Sequence, residues 1–326
     1  MTRVAIIGAG LAGLTLAQQL RDRAEVVVFD KARGVGGRMA TRRNGQFQFD
    51  HGAQFFTARS PSFRRFLQEF RTQGIVQEWR PRVLTLAQDA KPYRRDWFEP
   101  HFVAVPGMTA LCKALANDLD VRLGLRVGMP QRQDDGGWVL PLDNGEHSDV
   151  FDWVLCTAPA PQTRELLPPE FAAADLLTGI RLEPCMALLL GFDAAPGWRF
   201  EAARIKHAVL DWISCERSRP GRGDSFAVTV HSTAQWAQCH LQDSDEYIAE
   251  VMLSALQAVT AQPLPPVAVQ EVKRWRYAQA EAPEEPLRLL DTGLRLGACG
   301  DWTRDGRIEG AFLSALDLAE ALQPWL

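Results

Sequence analysis

Three glycines, Gly8, Gly10 and Gly13, stand at GxGxxG spacing between the apolar run "RVAIIGAG" and the helical pattern "LAGLTLAQQLRD". This spacing suits one task. A strand turns sharply into a helix, the backbone approaches a pyrophosphate, and the unpaired N–H groups of the helix start, here Leu11 and Ala12, face its charge. Asp30 ends a second apolar run, "AEVVVFDK", about twenty residues beyond Gly10, where a carboxylate can accept ribose hydroxyls. Lys31 follows it. A second glycine cluster, "RGVGGRMATRR", then sets Gly36 and Gly37 before Arg38. Glycines let a loop lie flat along an extended ligand, and Arg38 offers a fork of donors to phosphate. Near the other end, "GACGDW" puts Asp301 past an apolar strand, and "RIEGAFLSAL" opens a helix. The first amides of that helix, at Ile308 and Glu309, are placed to stabilise negative charge on a reduced flavin ring. A domain for a nicotinamide dinucleotide alone has no general need of the second and third elements, so the expected cofactor is FAD.

These residues need a scaffold. The two apolar runs with the helix between them form a β-α-β unit, with Leu14, Ala17 and Leu20 on one helical face. "SPSFRRFLQEFRTQG" has a Ser-Pro helix start, and Phe63, Phe66, Leu67 and Phe70 follow helical spacing. A helix in "GMTALCKALANDL" precedes a strand, a hairpin around "DNG" and the strand of "SDVFDWVLCTAPAP". From about Gln162 to Pro286 short β-like runs alternate with loops and one helix, "SDEYIAEVMLSALQAV". The expected architecture is α/β, a Rossmann domain plus a β-rich substrate lobe. The first domain is discontinuous, covering 1–75, 103–161 and 287–326, and the lobe covers 76–102 and 162–286.

Composition narrows the function. The chain has 326 residues, 46% apolar and 23% charged, with a net charge of −4. That balance gives no electrostatic case for a nucleic-acid polymer as partner. The longest apolar run, "CMALLLGF", is too short for a bilayer, so the chain reads as cytoplasmic with no membrane partner. No exposed apolar segment advertises a protein partner. Cysteines 112, 156, 185, 215, 239 and 299 form no CxxC pair and the histidines no close ligand pair, so no metal is expected.

Taken together, "VAIIGAGLAGL", "FDKARGVGGRMATRR", "FDHGAQFFT", "PGMTAL", "VLCTAPAPQ" and "GDW…IEGAFLSAL" resemble the renalase family, its bacterial members in particular, and more broadly the flavin amine oxidases. The first three motifs are the most specific, and the middle of the chain resembles the family more loosely. The resemblance implies a glutathione-reductase-type FAD domain and a para-hydroxybenzoate-hydroxylase-like two-domain fold. It implies that the Val127 backbone contacts the adenine and that Gln54, Phe55, Phe56 and Thr57 run beside the flavin. Covalent members use a cysteine shortly before the final strand. "KRWRYAQAEAP" has none and Cys299 reads as lying on that strand, so the FAD is expected to be noncovalent.

A flavin accepts hydride without a protein acid or base, so the protein's task is to position the donor. Renalase substrates are isomers of NADH and NADPH with the hydride at ring position 2 or 6; oxidation gives NAD(P)+ and passes electrons to O2, forming H2O2. Such a donor is anionic. Thr57, Ala58, Arg59, Ser60 and Pro61 are candidate phosphate or ribose contacts, and "KPYRRDW" and "ERSRPGRGD" supply more arginines. Trp275 and Tyr277 are candidate walls, Gln54 and Gln279 candidate partners of the nicotinamide amide, and His231 and Gln54 the candidate catalytic residues. His51 reads as a packing residue. Three other readings stay open: an amine oxidase or desaturase, a non-catalytic flavin-binding module, and an NAD(P) dehydrogenase without flavin.

Overall fold

The computed structural model describes residues 1–326, which divide into two compact units. The first comprises Met1–Arg38, Cys112–Leu182 and Gln279–Leu326; the second comprises Met39–Leu111 and Glu183–Ala278. The bounds expected from sequence are thereby corrected. Residues 39–75 and 103–111 pack in the second unit, and 162–182 and 279–286 in the first. The hairpin Thr41–Asn44 with Phe47–Asp50 explains part of this. Phe47 and Phe49 enter a small core with Ala187, Leu189 and Ala227, all in the second unit.

The first unit is built on a six-stranded sheet in the order Leu289–Asp291, Leu296–Ala298, Trp153–Cys156, Arg3–Ile7, Glu25–Asp30 and Asp120–Leu123. All pairings are parallel except the first. Central parallel strands covered on both faces read as continuous apolar runs, as "VAII" and "VLC" do. One face carries Ala5, Ile7, Val27, Phe29, Val154 and Cys156 into a core with Trp138, Phe151 and Trp302. Helix Leu11–Leu20 packs against helix Ile308–Leu322, and the former is buried on nearly every side rather than along one stripe. The Asn144-Gly145 turn is present, with Leu142 N donating to Glu146 O at 2.9 Å.

The second unit holds a seven-stranded sheet in the order Val267–Ala280, Leu182–Phe192, Phe226–Ser232, Leu210–Cys215, Ala202–Lys206, Val83–Ala87 and Tyr93–Arg94. Strand alternation sorts its two faces. Leu188, Leu190, Ile213, Val228 and Val230 pack beneath helix Asp245–Thr260, whose Ile248, Ala249, Met252, Leu256 and Val259 meet them at helical spacing. The opposite face carries Ala187, Leu189, Trp212, Ser214, Thr229 and His231, with His231 opposite both Ala187 and Trp212. "KRWRYAQA", which carries the candidate substrate residues Trp275, Tyr277 and Gln279, is the C-terminal part of a fourteen-residue strand.

Cys299 lies one residue past the strand Leu296–Ala298 rather than on it. It is buried, which pushes its thiol up to about 12 and leaves it unreactive at neutral pH. No helix is long and apolar enough to cross a membrane.

Candidate functional site

In the first unit the glycine turn is a braced cradle. Gly8 sits at φ +116°, its N–H donating to Phe29 O at 2.8 Å. A Cβ on Gly13 would lie 1.9 Å from Gly8 O, so helix and strand approach at a distance only glycine permits. Gly10, by contrast, faces open space. The Leu11 and Ala12 amides lie in the first helical turn, where no intrahelical acceptor exists. Asp30 supports the same turn: Oδ2 accepts from Ala9 N at 2.7 Å and Oδ1 from Ala32 N at 2.8 Å. The second glycine loop lies on the first, with Gly36 N donating to Ala9 O at 2.9 Å and the Cβ position of Gly37 3.5 Å from the Gly10 Cα. An open, amide-lined turn with a carboxylate at its edge fits a dinucleotide pyrophosphate and ribose.

The other cofactor candidates of this unit fall into place around it. Arg38 forms a two-pronged ion pair with Asp301, Nη1 to Oδ2 at 2.8 Å, which ties the second glycine loop to the turn Asp301–Thr303. The fork expected to face phosphate is thus turned toward a carboxylate that is only 4% exposed. Ile308 and Glu309 begin helix Ile308–Leu322, as the sequence suggests. Val127 forms an isolated antiparallel bridge with Leu142, whose bonds run through Gly128 N to Pro141 O and Asp143 N to Arg126 O. The Val127 amide and carbonyl therefore turn away from Leu142 and remain free for a ligand. Lys31 is exposed.

The second unit buries a charged network beneath its polar sheet face. Asp50 and Glu216 face Arg219 and Arg222, all four side chains at most 3% exposed. Arg219 lies 4.4 Å over the Trp79 ring and donates to Gln54 O, to Gln54 Oε1 at 2.8 Å and to Ser214 Oγ at 2.9 Å. Its Nε is 3.0 Å from Glu216 Oε2. Asp50 also accepts from Thr41 Oγ1 at 2.6 Å and Met108 N at 3.0 Å. Of the arginines in "ERSRPGRGD", expected to face an anionic substrate, Arg219 and Arg222 are internal counter-ions, while Arg217 is exposed beside the Phe226 ring.

Several expected contacts change role here. Phe56 is a core residue, with both backbone groups bonded to Phe102 and its ring against Phe63. The Gln54 amide is bonded within the chain to Arg219, Asp50 O and Gly52 O. Ser60 caps helix Pro61–Thr72, accepting from Phe63 N at 3.2 Å, with Pro61 as the first helical residue. Arg59 pairs with Glu99, Nε to Oε2 at 3.0 Å, and Ala58 O accepts from Arg64 Nε at 2.9 Å. "TARSP" is thus built as a helix start. Trp275 stacks on His51 at 5.2 Å and donates through Nε1 to His51 O at 2.9 Å. Phe55, Thr57 and Tyr277 stay half-buried, and Gln279 is exposed.

Sequence reading missed the ring cluster around Phe55. Its centroid lies 4.5 Å from His101, 5.2 Å from Trp97 and 5.7 Å from Trp212. The local density of rings in "DWFEPHF" was the available signal.

His51 and His231 are both pushed down to about 4, chiefly by burial. Both stay neutral in the fold while the unfolded chain protonates them near pH 6.5. Between pH 6.5 and 4 the unfolded state therefore binds more protons, and their contribution to stability falls with pH, by on the order of 3 kcal/mol for each. The free-energy advantage of wild type over His51→Asn should narrow across that window in denaturant titrations. A pH-independent difference would refute the assignment.

A model of the NAD(P)-binding Rossmann-like domain matches residues 6–70, and one of the flavin containing amine oxidoreductases matches residues 77–323. The chain belongs to the flavin amine oxidoreductases. Within that superfamily it is renalase-like: renalase of Mus musculus is 24% identical, with both chains covered in full. Solved structures share the fold. Wild-type putrescine oxidase bound to putrescine superposes with a TM-score of 0.75 at 12% identity, 99% of each chain being covered. An oxidoreductase from Methanosarcina mazei gives 0.72 at 15% identity, over 98% of this chain and 100% of its own. As a flavin amine oxidoreductase the chain is a flavin-dependent enzyme, and its glycine cradle is of the kind that family needs.

Proposed function

We propose that this protein is an oxidase of 2- and 6-dihydro isomers of NAD(P)H, holding FAD noncovalently and converting donor, O2 and a proton to NAD(P)+ and H2O2. When bound, the flavin supplies the hydride acceptor and the route for electrons to oxygen. Leu11 and Ala12 amides would hold the pyrophosphate, Asp30 the adenosine ribose, and the Val127 backbone the adenine. The Arg38–Asp301 pair would sit at the junction of the two phosphate-facing loops. Amides at the start of helix Ile308–Leu322 would stabilise negative charge.

The observation that carries this reading over an amine oxidase is the commitment of Trp275. Amine oxidases guide a neutral amine between two rings. Here Trp275 is stacked on His51 and bonded to its carbonyl, which leaves Tyr277 without its neighbour as a second wall. Whole-length likeness to a renalase supports the same choice. Oxidation of a dihydronicotinamide needs hydride removal only, which suits a unit whose two neighbouring histidines, His51 and His231, are strongly desolvated.

Anaerobic mixing tests the proposal. Addition of 2- or 6-dihydro-NAD should bleach the flavin, with primary amines inert. Bleaching by amines alone would establish the amine oxidase, failure of every donor a non-catalytic flavin module, and a colourless protein unable to take up FAD a dehydrogenase. Acid precipitation of the yellow protein should release all flavin to the supernatant, and a yellow pellet would contradict noncovalent binding.

A further inference from the structure

Arginine has no acceptor, so its Nη2 contact at 2.8 Å fixes Oε1 of the Gln54 amide on the Arg219 side. The NH2 group then faces Asp50 O and Gly52 O, the latter at 3.1 Å, and these take both hydrogens. His231 Nε2, 3.4 Å from that nitrogen, receives no hydrogen from it. The remaining neighbour of His231 Nε2 is His51 O at 3.1 Å. A carbonyl only accepts, so Nε2 carries the proton. His51 O has a second lone pair for Trp275 Nε1. His231 Nδ1 is left bare. It has no partner in the chain, and it is not among the sealed polar atoms of this half-buried residue. On the sheet face it stands opposite Ala187, a side chain too small to cover it, and beside Trp212.

We propose that His231 is the carboxamide-recognising residue of this enzyme, a neutral imidazole whose Nδ1 accepts a hydrogen bond from the NH2 of the nicotinamide. This rests on the proposed function. Of the groups on a dihydronicotinamide ring, the carboxamide alone has N–H to donate, so an obligate acceptor selects it. Hydride loss also leaves positive charge on that ring, which an imidazolium would oppose and a lone pair does not. Gln54, expected from sequence to hold the amide, acts one step back: its pinned NH2 gives no hydrogen to His231 Nε2 and leaves that atom to donate to His51 O. It is a positioning residue, and so is Arg219 behind it.

Histidine-15N-labelled holoenzyme at pH 7 gives the test. Long-range 1H–15N spectra should show His231 protonated at Nε2 and bare at Nδ1, and NAD+ should shift the Nδ1 resonance toward a hydrogen-bonded value. The analogue bearing a carboxylate in place of the carboxamide should bind at least about 10-fold more weakly, the loss expected for a polar pair left unsatisfied. His231→Asn, which keeps an oxygen near the Nδ1 position, should retain that preference, and His231→Leu should erase it. An Nδ1-protonated tautomer, or equal affinity of wild type for the two dinucleotides, overturns the proposal even if the His231 variants do not fold. Bleaching by dihydro-NAD together with equal affinities would sink this inference alone. The expected tautomer and preference without bleaching would sink the oxidase reading while the acceptor stands.

Discussion

Gly13→Ala should leave the protein colourless and less stable, whereas Gly10→Ala should leave it colourless but as stable as wild-type apoprotein. The two glycines lie in the same turn and differ in what a methyl would meet. At Gly13 the new carbon would sit 1.9 Å from Gly8 O and 2.8 Å from Thr157 Oγ1. Thr157 itself braces the turn, donating to Ile7 O and Gly8 O at 3.1 Å. Helix Leu11–Leu20 would have to lift off its strand, at about 3 kcal/mol, the upper end of ordinary overpacking. At Gly10 the backbone is extended, φ −81°, and the added carbon meets no protein atom. The methyl would occupy the space through which a pyrophosphate approaches the amides. We expect FAD affinity to fall at least about 100-fold in both variants, roughly 2.7 kcal/mol. The unfolding midpoint of the apoprotein should fall in Gly13→Ala alone. Retention of FAD by Gly10→Ala would show that the turn does not hold the phosphates.

Arg219→Met should cost about 3–5 kcal/mol of stability, the usual penalty for stranding a buried charge. Arg219 and Glu216 are each at most 2% exposed, and the guanidinium also holds Gln54 through its carbonyl and side-chain oxygen. Arg219→Lys should recover little of the loss, because a point charge cannot reproduce a fork spread over Gln54, Ser214 and Glu216. Adding Glu216→Gln to Arg219→Met should return part of the stability by removing the stranded carboxylate. Breaking the solvent-exposed pair Arg204–Asp211 is the control, expected to change stability by about 1 kcal/mol or less. A cost for Arg219→Met no larger than that control would mean that water or relaxation screens the network. Denaturant titration of the apoproteins measures all four.

The contrast between these experiments follows what could be read from sequence. The cradle around Gly8, Gly10, Gly13 and Asp30 is local: strand, turn, helix and strand occur within thirty residues, so spacing alone announces it. The loop carrying Gly36 and Gly37 and the turn at Asp301 were also visible, because glycine and acid at a strand end have few other uses. Their union through Arg38 was not, since the partners lie 263 residues apart. In the second unit locality fails altogether. Asp50, Gln54, Glu216, Arg219 and His231 meet through sheet pairings of distant segments, and a basic loop looks the same in sequence whether solvated or buried. Alternation explains why Phe56 packs inward while Phe55 and Thr57 stay half-buried. In a short extended stretch successive side chains take opposite sides, so "QFFT" cannot present every residue to one ligand.

Ala9 lies at the centre of the turn with both peptide groups engaged, its N–H by Asp30 and its carbonyl by Gly36. A loop pinned from two sides by its own chain needs little further ordering when a ligand arrives. Stripped protein should refill in a single kinetic phase whose rate scales with flavin nucleotide concentration, without a slow conformational lag. With the noncovalent binding proposed above, the turn would act as a socket for exchange, in which analogues altered at the ring are swapped in to report on the chemistry.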